Sequence, residues 1–284
     1  MDRHISVRTH RSELGDWQLV TATPGKRARA LVRRYAGYRE RSPETIRRLE
    51  PASPAAIVII SFGPQLRVRD AATGPSGARE LRSFIATPSA QWAVTEYDGR
   101  QDGVQVDLSP LALTSLLRTE LDPIGTALGF EDVFGPPADG LVERLMNLPD
   151  WQQRFDAVEE FLCDRLDPMS VAPEVAWALC RIDTTRGRVS VETLARESGW
   201  SRRHLIARFR STIGITPGRY RRVVRFRHAL ELMAKGGTSL AEIALAAGYF
   251  DQAHLDRDVR LFAGTSPSDL LARRLPDGFG ISGA

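Results

Sequence analysis

The sequence predicts an α+β protein of two domains, in which a β-rich N-terminal domain with following helices precedes an all-α C-terminal domain. Three observations favour this class. Short runs rich in β-branched and aromatic residues fill residues 55–110, apolar residues recur three and four apart after Pro110, and a helical unit occurs twice in the last third. With 284 residues the chain can bury two separate cores.

The N-terminal domain is expected over residues 1–185, with strands over about 20–108 and helices over about 110–183. Residues 1–50 are rich in arginine and carry glycines and prolines, which favours loops with short strands. Five or more later strands at regular spacing are typical of a sandwich or a barrel. The predicted strand segments are AAIVIISF, QLRVRD, LRSFIATP, QWAVTEYDG and GVQVDLSP.

The helices of this domain are predicted from the change of period after Pro110. The segments LALTSLLRTEL, ADGLVERLMNL, WQQRFDAVEEFLCDRL and VAPEVAWALCRID place apolar residues on one helix face. The segment TTRGR, residues 184–188, then has the composition of a linker, so the domain boundary is expected near residue 185. The C-terminal domain is expected over 186–275, followed by a tail at 276–284.

Charge is spread unevenly between the two domains. The whole chain carries +4, yet residues 186–275 hold 17 Arg and Lys against 8 Asp and Glu, so the remainder is net acidic. A basic C-terminal third favours binding to a polyanion. A merely solvated charged face is the alternative.

The C-terminal domain contains an internal repeat. Equivalent positions are 49 residues apart before the turn and 50 after it, so one extra residue enters where GWS in the first copy faces GYFD in the second. Repeats of this size indicate a duplicated supersecondary unit. The matched pairs are Ala195 and Ala244, Gly199 and Gly248, His204 and His254, Leu205 and Leu255, and Pro217 and Pro267.

Each copy is predicted to be a helix-turn-helix. In the first, a helix over 191–198 ends at Gly199 in the left-handed conformation, and Ser201 caps the next helix. In the second, the capping box SLAE starts a helix that Gly248 ends, and Asp251 caps the next one. The predicted inward residues of the two second helices are Leu205, Phe209 and Ile213, and Leu255, Val259 and Phe262.

A single helix is predicted between the two units. Thr216 caps it, Pro217 takes its first position and Gly236 closes it. About 18 residues give a rod of roughly 27 Å, which approaches the roughly 34 Å of one DNA turn. The second helices of the two units are therefore expected to enter successive major grooves on one face of a duplex.

These residues resemble the DNA-binding domain of AraC-type (AraC/XylS) transcriptional regulators. The matching motifs are LARESGWSRRHLIARF, GITPGRY and IALAAGYFDQAHLDRDVRLFAGTSP with the arginine-rich helix between the units, and they cover residues 189–273. The N-terminal domain is similar to the cupin-like effector and dimerisation domains often joined to this module, mainly in GVQVDLSPLAL. The resemblance implies a sequence-specific DNA-binding transcriptional regulator that a small-molecule effector modulates.

By position, the resemblance assigns base contacts to the outer residues of each second helix. Arginine suits guanine, glutamine suits adenine, and apolar side chains suit thymine methyl groups. The second outer face is less basic, so whether it contacts bases stays open. The predicted base-contacting residues are Arg203, Ile206, Ala207, Gln252, Ala253, Asp256 and Arg257.

Other arginines are candidates for phosphate contact, with plain solvation as the alternative. These candidates are Arg202, Arg210, Arg221, Arg222 and Arg225. Structural roles are expected for Arg227, His204, His228 and His254, and Trp200 is expected to pack beside the turn.

Four aromatic residues of the N-terminal domain are candidates for an effector pocket or for a filled core, since a small barrel is normally filled by its own side chains. They are Phe62, Phe84, Trp92 and Tyr97. With a filled core, the alternative function is an effector-independent or partner-regulated architectural DNA-binding protein.

The residues argue against an enzyme. Metal-binding cupins use two or three histidines and a carboxylate, but the histidines stand at 4, 10, 204, 228 and 254, outside the strand region 55–110. Cys163 and Cys180 are too few for a disulfide framework or a four-thiolate zinc site and are expected to be small buried hydrophobic residues. The sequence therefore predicts no catalytic residue, no metal and no cofactor.

The expected partners are double-stranded DNA, a small-molecule effector, RNA polymerase and a second copy of the chain paired through helices near 141–166. A membrane is not expected, because the longest apolar stretch, residues 55–60, is far shorter than the ~20 residues that span a bilayer. The N-terminal MDRHISVRTH has no apolar signal core. The predicted location is cytoplasmic, with nucleoid association when DNA is bound.

Overall fold

The structure is a computed structural model that describes residues 4–12, 15–71, 77–117, 127–165, 172–274 and 281–283. A β-sheet with helices forms the first part of the chain, and helices alone form most of the second, so the α+β two-domain prediction is confirmed. Within these ranges no helix combines the length and apolarity needed to cross a membrane.

The described strands form one antiparallel sheet. They are β1 (Ile5–Ser12), β2 (Gly15–Ala22), β3 (Val32–Glu50), β4 (Ala56–Ser61), β5 (Leu66–Asp70), β6 (Arg79–Leu81), β7 (Phe84–Ala86), β8 (Ala93–Leu108) and β9 (Leu128–Gly129). Their order is β1-β2-β3-β8-β4-β7-β9, and β5 pairs with both β6 and β8. The long strands β3 and β8 pair along most of their length and lie at the centre of the sheet.

Five helices follow the sheet. They are α1 (Pro110–Leu117), α2 (Phe130–Phe134), α3 (Pro136–Asn147), α4 (Trp151–Arg165) and α5 (Pro173–Thr184). The predicted helix LALTSLLRTEL continues beyond Leu117 into residues outside the described ranges. Strand β9 and helix α2 were not predicted. Cys163 is buried as expected, but the prediction for Cys180 is wrong, because this residue lies on the exposed side of α5.

One face of the sheet packs on α4 and forms the larger core. Tyr35 on β3 and Val106 on β8 are paired and fully buried, and Phe155 stacks on the Tyr35 ring at 5.8 Å. Gly37 allows Trp151 to lie directly on β3, since a Cβ atom there would be 2.3 Å from the indole ring. This face therefore fixes the helices on the sheet.

The opposite face carries a smaller core with a buried polar group. Phe84 and Tyr97 belong to its apolar cluster. The buried carboxylate of Glu40 accepts hydrogen bonds from Arg48 and Tyr97. Burial raises the pKa of Glu40, and the neighbouring Arg48 charge opposes that shift.

Two strand predictions are corrected. QWAVTEYDG and GVQVDLSP are one strand, β8, because Gly99 at φ +60° absorbs a bend without ending the pairing with β3. LRSFIATP is divided between the end of β6 and β7. A closed barrel would need β1 to pair with β9, and the described pairings contain no such pair.

The prediction of loops with short strands for residues 1–50 is corrected in one respect, because β3 alone runs for 19 residues. Several arginines of β3 meet acids on β8. Arg34 pairs with Asp107 at 2.8 Å and Arg39 with Asp102 at 3.1 Å. Opposite charges across paired strands favour this register, so the arginine-rich segment is stable as a strand.

The C-terminal domain is entirely helical in its described part apart from isolated bridges. Its helices are α6 (Val191–Ser198), α7 (Arg202–Ile213), α8 (Pro217–Lys235), α9 (Leu240–Ala247), α10 (Gln252–Ala263) and α11 (Pro267–Ala272). One core joins α6 and α7 with the start of α8, and Val175 and Ile182 of α5 belong to it. A second core joins the rest of α8 with α9, α10 and α11. The domain boundary near residue 185 stays a prediction.

The two domains touch at the C-terminal ends of α7 and α10. The Thr114 hydroxyl on α1 donates a hydrogen bond to the Thr212 carbonyl at 2.5 Å. The Ala52 N–H donates to the Phe262 carbonyl at 2.8 Å, and Gly264, next to it, lies against the Trp92 ring. The N-terminal domain therefore holds both helices at the same end.

Of the predicted tail 276–284, the structure describes residues 281–283. There the Leu49 N–H donates to the Ile281 carbonyl at 2.9 Å, and the Gly283 N–H donates to the Arg47 carbonyl at 2.9 Å. This short segment is therefore attached to β3.

We expect Phe155→Ala to lower the free energy of unfolding by about 3–5 kcal/mol, because it leaves a cavity beneath Tyr35 and Trp151. Glu160→Ala on the exposed side of α4 is the control. It removes only a surface ion pair with Arg144, so its cost is less than about 1 kcal/mol. Urea unfolding followed by circular dichroism measures both, and equal losses would contradict this account of the core.

Candidate nucleic-acid interface

Each helix-turn-helix unit directs its second helix with a glycine turn and a polar cap. Gly199 (φ 72°) and Gly248 (φ 87°) end α6 and α9 in the left-handed conformation. The Ser201 and Asp251 side chains then accept a backbone N–H from the first turn of α7 and α10, at 3.2 and 2.7 Å. The predicted turns and caps are confirmed.

The helix between the units is also as predicted. The Thr216 hydroxyl accepts an N–H of the first turn, Pro217 is the first residue and Gly236 ends the helix. Its 19 residues make α8 about 28 Å long. Ser239 and Glu242 form the predicted capping box of α9.

On α7 and α10, the buried and exposed residues lie on the faces that the sequence predicts. Each predicted inward residue is buried. Most of the predicted base-contacting residues are exposed, namely Arg203, Ala207, Gln252, Ala253 and Arg257. Ile206 is half-buried against the first core, and Asp256 is also half-buried. The structure thus brings this set onto two helix faces, and base contact stays a prediction.

A buried ion-pair cluster joins α10 to α8. The Asp258 side chain is almost completely buried and accepts hydrogen bonds from Arg222 at 2.6 Å and Arg225 at 3.5 Å. The Arg225 guanidinium also lies 4.4 Å from the centre of the Tyr249 ring. Sequence reasoning missed this cluster. Its signal was an aspartate three residues after Leu255, on the apolar face of α10.

The candidate phosphate contacts have different surroundings. Arg202 and Arg210 are exposed, and Arg202 lies 3.3 Å from Glu192. Arg221 is half-buried and donates to the Gly187 carbonyl at 3.2 Å. For Arg225 the phosphate prediction is corrected, because its guanidinium is buried against Asp258 and cannot reach a backbone phosphate. Arg222 also binds Asp258, but 40% of its side chain is exposed.

The aromatic residue of each turn packs against a histidine of the next helix. The Trp200 ring meets His204 edge-on at 4.5 Å and lies against the first core, as predicted. The Tyr249 ring meets His254 in the same way at 5.1 Å. His228 is buried, and its ring contacts Arg186 at 2.9 Å.

The four candidate pocket residues do not line one pocket. Phe84 and Tyr97 share the smaller core of the sheet. Phe62 instead packs against the larger core, and Trp92 packs against the second core of the C-terminal domain. The prediction of a shared aromatic pocket is therefore corrected.

The helices near 141–166 turn their apolar faces toward the sheet. Outside, α3 and α4 border an open groove of about 430 Å³ that is lined by charged residues such as Arg27, Arg144 and Glu160. In the described part of the chain, no group of three or more His, Cys, Asp or Glu side chains could hold a metal ion.

Comparison with known proteins identifies the C-terminal domain. Residues 194–273 match the family model described as a helix-turn-helix domain. This region is an AraC-type helix-turn-helix domain. The chain is accordingly a DNA-binding transcriptional regulator, as the sequence predicted.

Relatives agree with this assignment. The chain is 29% identical over 92 residues to the probable transcription factor PqrA of Proteus vulgaris, a match covering 32% of this chain and 75% of PqrA. ToxT from Vibrio cholerae has a similar fold, with a TM-score of 0.52 at 10% identity over 84% of this chain and 97% of ToxT. A ToxT structure with bound unsaturated fatty acid has a TM-score of 0.51 at 10% identity, covering 81% and 91%. At these identities the likeness to ToxT concerns the fold.

We expect Asp258→Asn to lower the free energy of unfolding by about 3–5 kcal/mol, because it leaves the buried Arg225 without its counter-charge. Asp269→Asn is the control, since this aspartate is exposed at the start of α11 and its loss should cost less than about 1 kcal/mol. Urea unfolding measures both. A loss below 1 kcal/mol for Asp258→Asn would show that the cluster contributes little.

Proposed function

We propose that the chain recognises an operator of two boxes, one read by α7 and the other by α10, in successive major grooves of one duplex. The observation that carries this proposal is the pair of capped helices with exposed outer faces, of which α7 directly precedes α8 in the chain and α10 packs near the middle of α8. The helix α8 is about 28 Å long, which is close to the roughly 34 Å between successive grooves.

The outer residues divide between base and phosphate contact. Arg203 donates to the edge of a guanine, and Gln252 exchanges two hydrogen bonds with an adenine. Arg202 and Arg210, which flank the outer face of α7, contact phosphates. Arg257 already donates to the Ala253 carbonyl at 3.2 Å, so its guanidinium is held above the first turn of α10.

Selection of bound duplexes from a random DNA pool by the full-length protein, at near-physiological salt, tests this function. Two enriched boxes about one helical turn apart are the expected result. Enrichment of a single box would show that α10 does not recognise bases. Salt-sensitive binding with no enriched sequence would favour the architectural alternative.

We expect Arg203→Ala to weaken binding to the selected operator by about 1–3 kcal/mol and to relax the preference at one base pair of the first box. Arg208→Ala is the matched control, because Arg208 is an exposed arginine on a different side of α7. Fluorescence anisotropy with operator and random duplexes measures both. An equal loss on the two duplexes for Arg203→Ala would assign it to the phosphates.

The second part of the proposal concerns control by an anionic small molecule. ToxT, which shares this fold, has been solved with an unsaturated fatty acid bound. In this chain we place the anion between the sheet and α8, at Arg34 and Arg227. This assignment replaces the structural role predicted for Arg227.

Two features of Arg227 support an anion site. Its side chain is exposed and makes no hydrogen bond or ion pair with a described residue, although Arg34 nearby is bound to Asp107 at 2.8 Å. Desolvation by neighbouring protein atoms lowers the pKa of Arg227, while the charges of Glu231, Asp107 and Glu50 raise it. Because the guanidinium is exposed and binds no carboxylate of the described residues, an anion can approach it in the space between Arg34 and Arg227, which we call the recess.

An anion in this recess would change how the sheet holds the DNA-binding domain. Arg34 belongs to β3, and β3 runs from this recess to Glu50, two residues before Ala52, which bonds the end of α10. A ligand that draws β3 and α8 together therefore acts on the contact that positions the second unit. The DNA-binding domain would then have two positions on the sheet. The ligand alters affinity for the two-box operator only if it binds more tightly to the protein in one of these positions than in the other.

We expect a monounsaturated fatty acid to raise the melting temperature of the protein by several degrees when its free concentration is about 100 times its Kd and still below its micellar concentration. Arg227→Gln should reduce this shift, because it removes the unpaired charge. Arg219→Gln, at an exposed position of the same helix, should retain it. A full shift in Arg227→Gln would place the ligand elsewhere.

We also propose RNA polymerase and a second copy of the chain as partners, in the cytoplasm and on the nucleoid. Pairing of two copies is supported by α3, which exposes Met146 at 58% beside the charged groove. Light scattering of the purified chain measures this pairing directly.

A further inference from the structure

The two turns differ by one residue, and the structure identifies which one is extra. Trp200 and Tyr249 occupy equivalent places, since each ring packs edge-on against the histidine of the following helix. Gly199 and Gly248 precede them directly, and both have left-handed backbone. In the first turn Ser201 follows at once as the cap. In the second, Phe250 stands between Tyr249 and the cap.

Phe250 does not pack into the core of the domain. It is 87% exposed, more than any other large apolar residue among those described. Tyr249, its neighbour, is 3% exposed and already fills the packing position of the turn. A phenyl ring in water gains free energy when a partner surface covers it, so Phe250 offers apolar contact area to a binding partner.

The position of Phe250 indicates that this surface is DNA. It directly precedes Asp251, the cap of α10, and the next two residues, Gln252 and Ala253, are exposed on the predicted reading face. In helix-turn-helix proteins the N-terminal residues of the second helix contact base edges. In the proposed two-box arrangement, a phenyl ring at this end of α10 would lie next to the groove.

We propose, on the basis of the two-box reading proposed for α7 and α10, that Phe250 is a specificity-determining residue which packs on a thymine methyl group in the second box. Phenylalanine is one of the side chains that make apolar contact with this methyl group. The outer face of α10 carries Asp256 beside Arg257, so it offers less net positive charge than α7. An apolar contact gives the second box affinity that does not depend on charge.

Binding of Phe250→Ser to the selected operator, measured by fluorescence anisotropy with the full-length chain, tests this proposal. We expect affinity to fall about tenfold, the scale of a single good base contact, with an unchanged salt slope, because no phosphate contact is lost. Leu245→Ser is the matched control. Leu245 is 64% exposed but lies on α9, so its replacement should leave affinity unchanged. The melting temperatures of both variants should match that of the wild type.

Duplexes with uracil in place of single thymines locate the contact, since uracil lacks only the methyl group. At one position of the second box, uracil should weaken binding of the wild type but not of Phe250→Ser. Equal affinity of Phe250→Ser and the wild type for the operator would overturn the proposal. Lost transcription with purified RNA polymerase at unchanged DNA affinity would also overturn it and assign Phe250 to the polymerase. If the wild type selects no second box, the proposed two-box function fails as well.

Discussion

The buried carboxylate of Asp258 sets the position of the second helix-turn-helix unit on the rest of the domain. Apolar contacts between α8 and α10 favour burial but tolerate sliding, because they have little directional preference. The bonds from Arg222 and Arg225 to one carboxylate are directional, and they join α10 to α8 near the middle of both helices. A charge pair in a low-dielectric core is costly to break. The reading face of α10 is therefore fixed relative to the linker helix.

The N-terminal domain adds a second constraint on the same helices. It holds α7 through Thr212 and α10 through Phe262, in each case at the end opposite to the reading residues. The distance between the two reading faces thus depends on α8 and on the sheet together. A ligand that alters the sheet can change this distance without touching DNA. The ligand site and the DNA-binding faces are then coupled energetically.

The sequence was most informative where structure depends on nearby residues. The turn at Gly199, the cap at Asp251 and the burial of Phe209 each follow from chemistry within one or two helical turns. Pairing in the sheet depends instead on a partner far along the chain, so the long strand β3 was predicted as loops with short strands although acids on β8 stabilise it. Asp258 was missed for the same reason, since Arg225 and Arg222 lie 33 and 36 residues away.

The aromatic pocket failed for a related reason. Successive residues of a strand face opposite sides, so residues an odd number of positions apart are directed to different faces. Trp92, directly before β8, and Tyr97 are five residues apart, and they join different clusters. The periodicity of a strand shows which residues share a face, but not what that face will meet.

The contact between Trp92 and Gly264 gives the molecule an optical signal at the joint between its domains. The indole covers the glycine that ends α10, so any separation of the sheet from the second unit brings this ring into water. The chain has five tryptophans, and replacement of the other four by phenylalanine would leave Trp92 as the single emitter. Its fluorescence would then follow domain movement during effector or DNA binding without an added dye.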